Sequence, residues 1–152
     1  MLRKYFTRCG IALSLVVGLL IVTRTLIADA SKDEKTPQGT WTLLSGESDG
    51  QTLTEAQLKD GKLEINGDDY TFTIANKEPL KGTEQLDPTK DPMTIDITDA
   101  SGPNKDKTCL GIYELKDDQF CVVLAQPGKP RPTEFTTTPD SGQWMHVWKR
   151  VK

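Results

Sequence analysis

A chain of 152 residues with 36% hydrophobic and 27% charged residues has material for one domain with one core. Residues 1–30 hold four basic groups (Arg3, Lys4, Arg8, Arg24) and one acid (Asp29), which leaves 15 basic and 21 acidic groups, a net charge of −6, on residues 31–152. That balance excludes nucleic acid, which needs a basic face, gives no attraction to anionic lipid, and serves solubility.

The first element is a leader. Arg3, Lys4 and Arg8 precede an uncharged run of 14 residues from Cys9 to Val22, and Ala28-Asp29-Ala30 places small residues where a signal peptidase reads. Cleavage before Ser31 and export to the periplasm or the medium are expected. The alternative is an uncleaved leader acting as a membrane anchor. Against it, a spanning helix needs about 20 apolar residues, and lengthening this run to Ile27 encloses Arg24. Cys9 precedes the apolar run and is not placed for lipoprotein attachment. Residues 31–37 are polar and read as a flexible lead-in, with a β domain over residues 38–152.

From Gly39 onward the period is two, the pattern of half-buried strands. Strands are expected at Thr40–Leu44, around Leu63 and Ile65, at Tyr70–Ile74, more weakly at Lys81–Leu86, at Met93–Thr98, Ile112–Leu115, Phe120–Leu124 and Trp144–Val151. Asn66-Gly67 supplies positive φ for a tight hairpin. Asp87-Pro88, Asp91-Pro92, Gly102-Pro103 and the segment Pro127–Pro132 interrupt strands, because proline donates nothing to a ladder. One short helix is expected in TEAQLKD, capped by Thr54 with Gln57 three residues on and ended by Gly61. The fold class is therefore all-β, an antiparallel meander of about eight strands closing into a barrel, with one short helix after the first strand.

Few residues offer chemistry. Gly46-Glu47-Ser48-Asp49-Gly50 matches G-x-S-x-G, and His146 follows downstream acids in the order of a hydrolase triad. That elbow belongs to sheets built of repeated strand–helix units, and Asp49-Gly50 is also an ordinary turn dipeptide. Ser48 is thus the weakest of the functional candidates. His146, the only histidine, shares a strand face with Trp144 and Trp148, opposite Met145 and Val147. No cluster with the spacing of a metal site accompanies it, and Asp117-Asp118 reads as a hairpin tip. No cofactor is expected.

The cysteines of the domain follow from register. If Leu115 pairs with Phe120, paired residue numbers total 235, and Cys109 lies about 17 Å along the ladder from the rung of Cys121. A disulfide needs Cα atoms within about 7 Å. Parity also places Cys109 with Tyr113, Phe120 and Val122, and Cys121 with Ile112 and Val123. Both are expected as free, buried thiols.

Two resemblances add to this reading. Gly39-Thr40-Trp41 on the first strand with Lys149-Arg150 on the last resembles the G-x-W and late basic residue of lipocalin-like barrels. That resemblance implies a last strand paired with the first and a cation over the Trp41 indole, with Gly39, Trp41 and Arg150 in structural roles. Further, GTWTLLSGESDG, LDPTKDP, IDIT, GPNKDKTCLGIYEL and GKPRPTEF look like a family of small extracytoplasmic domains of planctomycete bacteria, over nearly all of Gly39 to Lys152. The family implies an exported lipocalin-like domain and brings no catalytic residue. The expected function is a non-catalytic binding module for a small apolar or aromatic ligand, held in an open end of a few hundred cubic ångströms. The alternative is a solid barrel that contacts an envelope protein through its rim or loops, with the GKPRPTEF loop, which holds Arg131 and Glu134, as the best surface candidate, although that loop reads first as a rigid connector.

Overall fold

The computed structural model describes residues 35–74 and 77–152. The leader, its cleavage site and its possible anchoring lie outside the described residues. Within them the elements are β1 (Gly39–Ser48), β2 (Gln51–Thr52), α1 (Glu55–Leu58), β3 (Lys62–Asn66), β4 (Asp69–Thr73), β5 (Leu80–Asp87), β6 (Met93–Asp99), β7 (Thr108–Lys116), β8 (Gln119–Ala125) and β9 (Gln143–Arg150). Every described pairing is antiparallel, β3 to β9 follow one another in order, and β9 returns to β1. The result is a closed eight-stranded barrel with β2 as a two-residue extension beside β1. Closure is the physical answer to the edge problem, since a closed sheet leaves no row of unpaired backbone groups. The all-β expectation holds, down to the single short helix.

Alternation decides which side chains fill the interior. Trp41, Leu43, Leu63, Ile65, Tyr70, Ile95, Cys109, Tyr113, Phe120, Val122, Leu124 and Trp148 form one buried cluster. The β7–β8 register pairs Gly111 with Leu124 and Leu115 with Phe120, the expected register. Strand β1 runs four residues past its expected end, and its register against β9 shifts between Leu43 and Ser45. Leu44 is the bulged residue, 45% exposed, and the bulge moves the inward parity from Leu43 to Gly46.

Three local expectations are corrected. Helix α1 keeps its cap, with the Thr54 N–H donating to Gln57 Oε1 at 2.8 Å, but Asp60 takes the left-handed conformation after it (φ 57°). Gly61 serves packing instead, because a Cβ there would sit 2.6 Å from Leu43 Cβ. In the β3–β4 hairpin Gly67 alone has positive φ, 64°, while Asn66 stays in the ladder opposite Asp69.

The third correction concerns the lead-in. Pro37 is fully buried, and Lys35 to Gln38 seal one end of the barrel. The Trp41 Nε1–H donates to Pro37 O at 2.8 Å, the Tyr113 hydroxyl donates to Lys35 O at 2.8 Å, and Arg150 donates to Gln38 O. The packed unit therefore begins by Lys35. Sequence periodicity ends at Gly39, so it carries no trace of contacts made by an irregular segment.

The segment 126–142 between β8 and β9 is the longest connection among the described residues. It lies against the outside of the barrel. Ile112 and Val123 pair with each other on the outer face, yet they are only 1% and 0% exposed. Arg131 anchors the segment there, donating to Gly111 O at 2.6 Å and to Ile95 O at 3.1 Å, with Asp96 Oδ1 2.7 Å away.

Candidate functional site

At the sealed end the Arg150 guanidinium lies 4.1 Å from the centroid of the Trp41 ring, and the two residues are directly paired across β1 and β9. Gly39 has φ 105°, and a Cβ there would approach Arg150 Nη1 to 3.4 Å. Trp41 also packs on Phe120, with centroids 5.7 Å apart. This end is occupied by its own side chains.

The interior beyond it is not filled. A cavity of about 160 Å³ remains, extending toward Leu80, Asn104 and Trp144. It is smaller than the few hundred cubic ångströms expected, because Phe120, Trp148 and Phe72 occupy much of the lumen. Phe72, His146 and Trp148 form a triangle of rings, with centroid distances of 5.6 to 5.7 Å for each pair. An eight-stranded barrel with large inward rings leaves little room, and a cavity of about 150 Å³ is enough to take benzene. The space fits a body of about one aromatic ring.

Several polar residues line this apolar chamber. Glu84, on β5, is 5% exposed, and its Oε1 has no hydrogen-bond partner. Burial, and then the charge of Asp68, raise its carboxyl to about 8, so at neutral pH it is largely the protonated acid. The Trp148 Nε1–H is buried and likewise without an acceptor. His146 is pushed down to about 4 by burial and is neutral. The Tyr70 hydroxyl donates to Asp99 Oδ1, and burial first, then that bond, raise the phenol. No Lys or Arg lines the cavity.

The other candidates fall elsewhere. Ser48 ends β1 opposite Gln51 in a two-residue hairpin whose turn residues Asp49 and Gly50 have φ of 50° and 75°. The motif is a strand–turn–strand hairpin and not a strand–helix elbow. Ser48 is exposed in a surface depression with Gln51, Gln57 and Asp140. No hydrogen bond joins it to His146 among the described residues. Asp118 forms an ion pair with Lys152 at 2.8 Å, and that bond holds its carboxyl below the usual range. Arg131 of the proline-rich loop is committed to the barrel wall, in keeping with the reading of that loop as a rigid connector. Cys109 is a buried free thiol; Cys121 is free but half-buried on the outer face, since its strand neighbours there cover it only in part.

Glu84 and Asp99 were not singled out from sequence. A signal existed for Glu84: in Leu80-Lys81-Gly82-Thr83-Glu84-Gln85-Leu86 it holds an inward position between Gly82 and Leu86, where an apolar residue is the rule. Asp99 carries no such signal, because its role depends on a tyrosine two strands away. Comparison of the chain with family models, with curated proteins and with solved structures finds no match.

Proposed function

We propose that the protein is a non-catalytic binding module whose barrel holds a small ligand of about one ring in the cavity beneath Trp144. One observation carries this reading: an apolar chamber of about 160 Å³ remains inside the closed barrel, and two of its lining residues, Glu84 and Trp148, hold buried polar atoms without a partner. A buried polar atom without a partner costs about 1–3 kcal/mol, and a ligand placed beside either group supplies what that group lacks. An apolar chamber with a few convergent polar groups is the usual form of a small-molecule site.

We also propose export by a cleaved signal peptide, which the pattern of residues 1–30 supports, and kinship with the planctomycete-type lipocalin-like family, which the motif resemblance supports. The competing reading, a solid barrel docking an envelope partner through GKPRPTEF, has less support because Arg131 is held by Ile95, Gly111 and Asp96. A thermal-shift screen of one-ring aromatic and short aliphatic compounds tests the proposal. Binding at a hundredfold excess over Kd adds about 2.7 kcal/mol of stability, a readily measured rise in Tm. A library of such compounds that leaves Tm unmoved at millimolar concentration contradicts it.

A further inference from the structure

The charge of the cavity wall narrows the ligand. Its two carboxyl groups, Glu84 and Asp99, face no lysine or arginine across the chamber. The only nitrogen base, His146, is enclosed between Phe72 and Trp148. An anion placed there meets two acids and no positive group. A neutral apolar body fills the volume but leaves Glu84 Oε1 without a donor. A cation supplies N–H donors, and its charge favours the carboxylate form, so its binding displaces the proton that Glu84 holds at neutral pH; ring faces attract it as well. Tyr70, Phe72, Phe120, Trp144 and Trp148 all contribute to the wall.

We propose that the cavity selects a small organic cation, an ammonium group on a body of about one ring, with the ammonium against Glu84 and the body against Phe72, Trp144 and Trp148. This rests on the ligand-binding reading above. Glu84 is the discriminating residue: it is the acid whose carboxyl has an unpartnered buried oxygen, whereas Asp99 already accepts from Tyr70. The volume sets the second limit, since about 160 Å³ admits a ring and a short arm and rejects a lipid chain or a two-ring body.

Calorimetric titration of the full chain at neutral pH with benzylamine, benzyl alcohol and benzoate tests the inference, because the three probes share a ring and differ in charge. The amine is expected to bind at least about tenfold more tightly than the alcohol, and benzoate is expected to give no heat. In Glu84→Gln the amine's advantage disappears. An alcohol that binds as tightly as the amine overturns the choice of cation while leaving the binding reading in place, as does a preference that survives Glu84→Gln. No heat from any of the three overturns both. The wild-type comparison stands even if the variant does not fold.

Discussion

The Tyr70 hydroxyl donates to the Asp99 carboxylate across Gly82, a residue that pairs with both of them, on β4 and on β6. The bond skips a strand, and it can do so only because the intervening residue has no side chain. A Cβ on Gly82 would collide with the Thr98 carbonyl oxygen and lie 2.7 Å from Tyr70 Cε1. Gly82→Ala should therefore cost about 1–3 kcal/mol or more by overpacking, and Tyr70→Phe about 1–3 kcal/mol by stranding a carboxylate. In the double variant the two losses should fall short of their sum, because both act on one bond. Urea unfolding of the four proteins measures this, and strict additivity would show that Gly82→Ala does not act through the bond.

Stability should depend on pH in two opposed ways. Glu84 is raised from 4.5 to about 8, so the folded state binds the extra proton, and stability is lost as pH rises from about 5 through about 8. His146 is lowered from 6.5 to about 4, so the unfolded state binds the extra proton, and stability is lost as pH falls from about 6.5 through about 4. The optimum should lie near pH 5 to 6. Glu84→Gln should remove most of the alkaline decline, an effect of a few kcal/mol at about 1.4 kcal/mol per unit. Chemical unfolding at half-unit pH steps checks it; an unchanged slope between pH 6.5 and 8 in the variant contradicts the placement of Glu84.

The sealed end should dominate the energetics. Trp41→Ala removes a fully buried indole and should cost about 3–5 kcal/mol. Arg150→Met keeps much of the stem but loses the contact with the Trp41 ring and the bond to Gln38 O, for about 1–2 kcal/mol. Thr73, on the outer face opposite Lys62, should tolerate alanine within about 0.5 kcal/mol. Equal losses at Trp41 and Thr73 would contradict the inward and outward assignment.

The two domain thiols should be sluggish. Burial raises Cys109 and Cys121 each to about 11, with Asp99 adding to the first and Glu114 to the second. At pH 8 about one thiol in a thousand is then ionised. Peptide mapping after iodoacetamide treatment should find both largely unmodified in native protein and both modified in urea. Rapid native labelling of Cys109 would show that the interior is more open than described.

Much of this architecture was legible because it depends on nearest neighbours. The period of two in Tyr113, Leu115, Phe120 and Val122, with the turn between them, fixes the β7–β8 register and sends Cys109 and Cys121 to opposite faces. Features that join distant segments were not legible. The bulge at Leu44 depends on β9, the burial of Pro37 on Tyr113 and Arg150, and the Tyr70–Asp99 bond on three strands at once. Glu84 lies between these cases: its parity could be read, but its isolation in a cavity depends on ring sizes from three other strands.

The most direct test of a ligand in the barrel is the response of the tryptophan indole N–H signals to benzylamine or benzyl alcohol in two-dimensional NMR spectra of the ¹⁵N-labelled chain. The Trp148 Nε1–H stands unpartnered in the cavity wall, whereas the Trp41 Nε1–H is bonded to Pro37 O in the sealed end. Saturable movement of the Trp148 signal with the Trp41 signal still is the expected result. Indole signals that all stay in place, or movement of Trp41 alone, would contradict binding in the cavity.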